Sequence, residues 1–302
     1  MALNFFRKRG KSQTRKGSIL DLPVSEYDPA TGLPRIVTIG DKKVPPLLTV
    51  QEVQNHLIFL EALYEFRFSS PDTYAARTRL VAPQYAHWAQ NICSQRRQVN
   101  RIEMDELPSL GILMCWHAHM LNPKTYSVDV EGAYKGLKGL EFPLEFVSWA
   151  LTNGSLPVEQ DMLFDIAELN TTKWTIEDIA QGVERQSKFV VNMHNIRWLD
   201  KSHWDQAGTM ELQIGIVLYH AWLDLAYSTS LQCFLVPRLD IDLAWHSHQL
   251  HGARYKDDTV QLLGQFLGHD DTVGDGKLES GLKQTGELWK AKFGYDYQPP
   301  NV

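Results

Sequence analysis

Cysteine is scarce in this sequence, and long apolar runs are missing. The three cysteines among 302 residues, Cys93, Cys115 and Cys233, lie within apolar stretches. A small, odd number of cysteines indicates reduced thiols, in contrast to the disulfide framework of a secreted protein. The N-terminus is too polar for a secretory signal, and no stretch reaches the roughly 18 apolar residues of a membrane-spanning helix. We therefore expect a cytoplasmic protein without a membrane span.

Motifs for nucleotides and redox cofactors are also missing. The sequence contains no P-loop, no Rossmann glycine fingerprint, no G-x-S-x-G elbow and no C-x-x-C pair. The glycines of "EGAYKGLKG", residues 131–139, have the wrong spacing for a phosphate-binding loop. These absences disfavour reactions that need a redox cofactor or a nucleotide, and the sequence therefore predicts a function without a cofactor.

Basic residues are few beyond the first 20 positions. The chain carries 30 Lys and Arg against 36 Asp and Glu, a net charge of −6. Residues 1–20 hold six of the cations and no acidic residue, so the remainder has a net charge near −12. Because nucleic acids are bound through basic patches, this acidic body predicts no nucleic-acid partner. Residues 1–46 are expected to form a disordered basic arm followed by an extended lead-in.

The rest of the chain has the periodicity of α helices. Thr49 and Glu52 have the spacing of a capping box, and apolar residues follow at helical intervals. Six further segments show similar periodicity, at residues 71–93, 143–151, 158–169, 175–193, 210–227 and 278–293. Alternating strand patterns are rare. The prediction is a mainly α protein in which residues 47–297 form a single helical domain of about ten helices.

One segment of the sequence occurs twice. "LPSLGILMCWHAHMLNPKTY", residues 107–126, aligns without gaps with "VPRLDIDLAWHSHQLHGARY", residues 236–255, and eight of the 20 positions are identical. Upstream of each copy lie a Tyr and a Trp three residues apart, Tyr85 with Trp88 and Tyr219 with Trp222. This repeat predicts a duplicated helical unit. The two halves, about 47–140 and 141–297, are expected to pack around a pseudo-twofold axis.

Four stretches resemble a known family in the same order along the chain. They are "HLIFLEALYEFR", "WHAHMLNPKTY", "VPRLDIDLAWHSHQL" and "LGHDDTVGDGKLESGLKQTGELWKAKFG". The chain resembles the glycine-rich domain-containing protein-like family of plants and fungi over roughly Leu47 to Tyr297. The resemblance implies a domain whose biochemical role is uncertain. Plant members often carry a glycine-rich tail, and because this chain lacks one it looks more like a stand-alone fungal member.

The two Trp-His-x-His motifs are expected to lie on helices. Two His at i and i+2 point the same way on a strand but lie about 200° apart on a helix. A proline near the start of each segment suits a first helical turn, and the pairs Trp116 with His119 and Trp245 with His248 would then share one face. On this reading, one His of each copy packs in the core and the other faces a shared centre.

The leading functional hypothesis is a pocket for an apolar small molecule. His119 and His248, with their ring nitrogens free, would be catalytic, together with His246 and its carboxylate partner Asp242 four residues earlier. Six aromatic residues would bind the substrate, namely Trp116, Trp245, Tyr126, Tyr255, Trp88 and Trp222. Holding a terpenoid or polyketide in a reactive shape can promote a cyclisation of Diels-Alder type, or an isomerisation, without a cofactor. Such an enzyme would serve fungal specialised metabolism.

Two alternatives come from other functional classes. A metal-dependent oxygenase or hydrolase would use four ligands, His117, His119, His246 and His248, together with Asp242. Further ligands could come from His251 or from the "GHDDTVGDG" segment, which contains His269, Asp270 and Asp271. In the second alternative, the same Trp and His residues only join the two halves of a non-catalytic interaction module. The sequence leaves the oligomeric state open.

Deletion of residues 1–20 tests the predicted arm. Since their composition is that of a disordered segment, the melting temperature should not change on deletion. The measurement is a thermal melt of the full and shortened chains. A drop of several degrees would show that the arm packs on the folded body.

Overall fold

The fold is built mainly from α helices, as the periodicity predicts. The computed structural model describes residues 26–98, 100–159, 164–201 and 206–297. Within these ranges ten α helices occur: α1 Val50–Phe68, α2 Tyr74–His87, α3 Leu110–Met120, α4 Pro123–Asp129, α5 Leu144–Thr152, α6 Ile176–Asn195, α7 Gln206–Ser228, α8 Leu239–Gln249, α9 Ala253–Leu263 and α10 Asp275–Phe293. A π-helical turn, Trp88–Ile92, extends α2. The predicted arm, residues 1–20, lies outside the described residues.

Helix α1 begins with the capping box that its sequence predicts. The Thr49 hydroxyl accepts a hydrogen bond from the Glu52 amide at 3.2 Å, and the Glu52 carboxylate accepts one from the Thr49 amide at 2.7 Å. These bonds satisfy two backbone donors that a helix start otherwise leaves without partners. The buried face of α1 then packs against α5, α6 and α7.

Residues of the expected lead-in form a short hairpin on α7. Strands β1 (Val37–Ile39) and β2 (Lys42–Val44) pair antiparallel, with Val37 opposite Val44. Val37 and Ile39 are buried, and the turn residue Gly40, at φ 62°, donates its amide hydrogen to Asp224 on α7 at 2.8 Å. Burial of two β-branched side chains stabilises the docking of this segment.

Both Trp-His segments are helical, which confirms that prediction. They form α3 and α8, and the side chains of α3 from Ile112 to Met120 are all buried. Helix α3 packs on α2 and α6, whereas α8 packs on α7 and α1. After each of them the chain turns into a second short helix, α4 or α9. Pro123 opens α4, where its missing N–H is not needed.

One predicted helix, over residues 158–169, is wrong in its described part. Residues 157–159 are irregular, and only a 3₁₀ turn, Ile166–Glu168, occurs farther along. Val158 and Ile166 are exposed, so the apolar spacing does not correspond to a buried face, and tertiary packing supplies most of a helix's stability. Across the described ranges, no helix has the length and apolar content that crossing a membrane requires.

Replacement of Trp116 tests the packing of α3. Its indole is fully buried and contacts the rings of Trp88 and Phe142, with centroids 5.5 and 5.0 Å away. Trp116→Ala should lower the free energy of unfolding by about 3–5 kcal/mol because it leaves a large cavity. Trp116→Phe keeps an aromatic ring in place and should cost far less. Urea unfolding measures both, and equal stability of the Ala and Phe variants would contradict the packing described.

Candidate functional site

The first Trp-His motif is held by a chain of buried hydrogen bonds. The Tyr85 hydroxyl lies 2.9 Å from His119 Nδ1, and His119 Nε2 lies 3.2 Å from Asp129 Oδ2. The Trp116 indole N–H donates to the Tyr126 hydroxyl at 3.1 Å. These bonds join α2, α3 and α4.

The same contacts recur at the second motif. Tyr219 lies 2.9 Å from His248 Nδ1, and His248 Nε2 lies 3.0 Å from Asp258 Oδ2. The Trp245 indole donates to the Tyr255 hydroxyl at 2.9 Å. The duplicated sequence thus corresponds to a duplicated set of contacts, here joining α7, α8 and α9. The pseudo-twofold relation between whole halves stays a prediction.

The expectation that His119 and His248 keep free ring nitrogens is wrong. Both imidazoles are completely buried, and each has both nitrogens hydrogen-bonded to the protein. Burial lowers the pKa of His119, and it lowers that of His248 to about 4. A ligand would therefore have to displace a tyrosine or an aspartate to reach either ring.

The six aromatic residues predicted to bind a substrate are nearly inaccessible. They are Trp88, Trp116, Tyr126, Trp222, Trp245 and Tyr255. The rings of Trp222 and Trp245 pack with centroids 4.9 Å apart. These side chains belong to the core, and the polar atoms of Trp116, Trp245, Tyr126 and Tyr255 fix neighbouring helices.

His117 forms a different pair, with His56, a histidine outside the two repeated segments. The Ser247 hydroxyl donates to the Leu243 carbonyl at 2.8 Å, so it accepts from His56 Nδ1 at 2.9 Å. His56 Nε2 must then accept from His117 Nε2, 3.0 Å away. His117 Nδ1 is left as a buried acceptor without a partner among the described residues, so the expectation that His117 is bonded to the protein holds at one nitrogen only.

Three potential metal ligands converge beside this pair. Asp242 and His246 lie one turn apart on α8, and His269 comes from the loop between α9 and α10. His246 Nε2 is 3.3 Å from His269 Nε2 and 3.4 Å from Asp242 Oδ1. One ligand atom from each residue lies within 4.8 Å of the other two. Among the described residues this is the group that could hold a metal ion.

The loop that carries His269 is fixed from two sides. His269 Nδ1 donates to the Leu121 carbonyl at 2.7 Å, which leaves Nε2 with a lone pair toward His246. The Tyr255 hydroxyl donates to the Leu267 carbonyl at 3.0 Å. A backbone carbonyl that orients a histidine in this way is typical of the surroundings of a metal site.

The pKa shifts of Asp242 and His246 are opposite to those of an ordinary ion pair. Asp242 Oδ1 is buried and makes no hydrogen bond in the described part of the chain. Desolvation raises the pKa of Asp242 to about 8 and lowers the pKa of His246 well below its ordinary value. The predicted pairing of Asp242 with His246 is therefore a close approach without a hydrogen bond. Buried polar groups without partners are rare and call for an explanation.

The predicted set of four histidine ligands is not assembled. His119 and His248 are occupied by tyrosine and aspartate, so only His246 of that set joins Asp242 and His269. Sequence reasoning also missed Asp129 and Asp258, although both were detectable because they align in the repeat three residues after Tyr126 and Tyr255. His251 instead approaches Glu141 and Glu52, at 3.1 and 3.3 Å.

The fold and site define a mainly helical protein with a histidine-rich interior. The profile of the glycine-rich domain-containing protein-like family matches residues 155–258. Glycine-rich domain-containing protein 1 of Arabidopsis thaliana is 30% identical over 269 residues, which cover 81% of this chain and 31% of that protein. Glycine-rich domain-containing protein 2 of the same plant is 28% identical over 267 residues, 81% of this chain and 32% of that protein. The chain belongs to the glycine-rich domain-containing protein-like family.

The chain spans about a third of the length of these curated relatives. No solved structure matches it significantly. The expected fungal source stays a prediction.

The buried neutral histidines predict a loss of stability in acid. Burial lowers the pKa of His220 and His248 to about 4 in the native protein, whereas an unfolded chain has a value of about 6.5. The unfolded state therefore binds protons first as the pH falls below about 6.5, and stability declines down to about pH 4. Each histidine should cost about 2 kcal/mol at pH 5.

Urea unfolding at pH 7, 6 and 5 measures this effect. His220→Gln removes one titrating group, so its stability should depend less steeply on pH than that of the wild type. A wild-type stability that stays constant from pH 7 to 5 would contradict the prediction.

Proposed function

We propose that this protein is a metal-dependent enzyme whose ion is bound by Asp242, His246 and His269. The observation that carries the proposal is the convergence of one carboxylate oxygen and two imidazole nitrogens within 4.8 Å of one another. Two histidines and a carboxylate are a ligand set of catalytic zinc and of non-haem iron. This revises the sequence-based metal alternative, which used other histidines.

The two distances at His246 Nε2 are compatible with tetrahedral zinc. Four ligands at zinc–nitrogen distances of about 2.0–2.1 Å around a tetrahedral ion lie about 3.3 Å from one another. The distances from His246 Nε2 to its two neighbours are 3.3 and 3.4 Å. An octahedral ion with similar bond lengths would place adjacent ligands closer, at about 3.0 Å.

The surroundings support the same assignment. A cation would satisfy Asp242 Oδ1, which has no hydrogen-bond partner in the described part of the chain. His269 is oriented by the Leu121 carbonyl, and the Phe189 ring packs edge-on against His246 at 4.5 Å. One departure from an ideal site is His246 Nδ1, which is buried and has no acceptor within the ranges that the structure describes.

Three protein ligands leave a fourth position for water, as in catalytic zinc sites. A zinc ion held here would lower the pKa of a bound water to about 7 and so would supply hydroxide near neutral pH. Asp242 and His269 are partly exposed as whole residues, although Asp242 Oδ1 itself is buried. We therefore propose that the protein is a hydrolase that acts on a small substrate.

The cofactor-independent cyclisation stays a prediction with less support. The imidazoles proposed to polarise its substrate, His119 and His248, are both hydrogen-bonded to the protein at each nitrogen. The hydrogen bonds around these two rings are consistent with a structural role, which is the role that the interaction-module alternative gives to these histidines.

Zinc content and cobalt spectra test the proposed centre. The purified chain, stripped with a chelator and dialysed against zinc, should bind one equivalent as measured by mass spectrometry of the metal. Cobalt substitution should give the visible absorption of a tetrahedral ion. Zinc at about 100 times its Kd should stabilise the protein by about 2.7 kcal/mol.

Asp242→Asn and His269→Gln should each weaken zinc binding by at least about tenfold, because each removes one ligand. His87→Gln is the matched control, since His87 stacks on Phe164 outside the cluster. Unchanged zinc affinity in both ligand variants, or an equal loss in the control, would refute the proposal. Circular dichroism verifies that each variant is folded.

A further inference from the structure

A cavity of about 370 Å³ lies beside α3, and none of its lining residues belongs to the proposed metal centre. Its walls come from the end of α2 with the π-helical turn Trp88–Ile92, residues in the stretches 93–96 and 102–109, the first turn of α3 and residues 157–158. The volume falls in the range of small-molecule sites in proteins, about 300–1,000 Å³. A π-helical turn in a wall is a second indication, because such turns occur often at functional sites.

The walls of the cavity are mostly apolar and already packed. Trp88, Ile102, Leu107 and Ile112 line it, and each is almost completely buried by its other contacts. The Trp88 indole is braced by Trp116, with ring centroids 5.5 Å apart. The core holds these side chains in place, so binding would require little ordering of the protein.

The charged groups around the cavity are paired within the protein. Arg96 donates to two backbone carbonyls, at 2.9 and 2.5 Å. Glu106 accepts from two backbone amides, at 2.7 and 2.9 Å, and Asp105 forms an ion pair with Arg97. A charged ligand would have to share these groups with their existing partners. This arrangement favours a neutral ligand.

Gln84 supplies the polar contact. Its side chain lines the cavity and is partly exposed, and it makes no hydrogen bond to the part of the chain that the structure describes. A primary amide can donate to a carbonyl or accept from a hydroxyl. A few polar groups in an apolar pocket commonly fix the orientation of a ligand.

We propose that this cavity is a binding site for a neutral, largely apolar small molecule whose carbonyl or hydroxyl group hydrogen-bonds to Gln84. The site is independent of the proposed metal centre. It differs from the pocket that the sequence predicts between the two Trp-His motifs, and of the aromatic residues assigned to that pocket only Trp88 borders this one.

Prodan, a neutral naphthalene ketone whose emission shifts to the blue in apolar surroundings, is a suitable probe. Titration of the full chain with prodan should give saturable binding of one molecule with blue-shifted emission. Val158→Trp should weaken this binding about tenfold, because a larger side chain at this lining position should obstruct the cavity. Val158 is 81% exposed, so the change leaves the core intact. Gln84→Leu should weaken binding about three- to tenfold through loss of one hydrogen bond.

Leu80→Trp is the matched control, since Leu80 is 68% exposed and lies outside the cavity lining. Its affinity for prodan should equal that of the wild type, and chelation of metal should change nothing. The proposal is overturned by non-saturable binding, by equal weakening in the control, or by wild-type affinity in Gln84→Leu. Gln84→Leu remains decisive if Val158→Trp fails to fold.

Discussion

Every imidazole placed in an apolar core must find partners for two ring nitrogens, and much of this structure depends on that constraint. Helices α3 and α8 together place four histidines there. For His119 and His248 the partners are a tyrosine on the preceding long helix and an aspartate on the following short one. Each imidazole thereby fixes three helices relative to one another. These polar contacts select one arrangement among the many that apolar burial alone would permit.

The other two histidines of the motifs have partners that are distant in the sequence. His117 pairs with His56 on α1, and His246 lies close to His269, which belongs to the loop between α9 and α10. Because one imidazole cannot satisfy both nitrogens of another, each pairing leaves capacity unused: His117 Nδ1 and His246 Nδ1 have no hydrogen-bond partner in the described part of the chain. More than half of the buried side-chain polar atoms without a hydrogen-bond partner in the described part of the chain lie on α8 or just after it, and they include an oxygen of Asp242. This concentration separates a candidate site from the purely structural histidines.

Local signals predicted the elements of the fold better than they predicted the site. The capping box at Thr49 and the apolar stripes of α3 and α8 depend on neighbours within a few residues, so the sequence alone indicates them. Helical phase also shows that His119 shares a face with Trp116. It does not show what that face contacts. Only the three-dimensional structure shows that Tyr85 and Asp129 are the hydrogen-bond partners of His119. His269 could be named as a candidate, but its orientation depends on the Leu121 carbonyl, 148 residues away.

The two aligned segments differ at the position that matters most for the proposed centre. Leu113, which is completely buried, occupies in α3 the position that Asp242 occupies in α8. A leucine in the first segment indicates that an apolar side chain suits this position of the helix. A carboxylate with one buried oxygen that lacks a hydrogen-bond partner in the described part of the chain costs stability by comparison, by about 1–3 kcal/mol for the desolvated group alone. Packing therefore does not account for Asp242, whereas a cation bound between it, His246 and His269 would offset that cost.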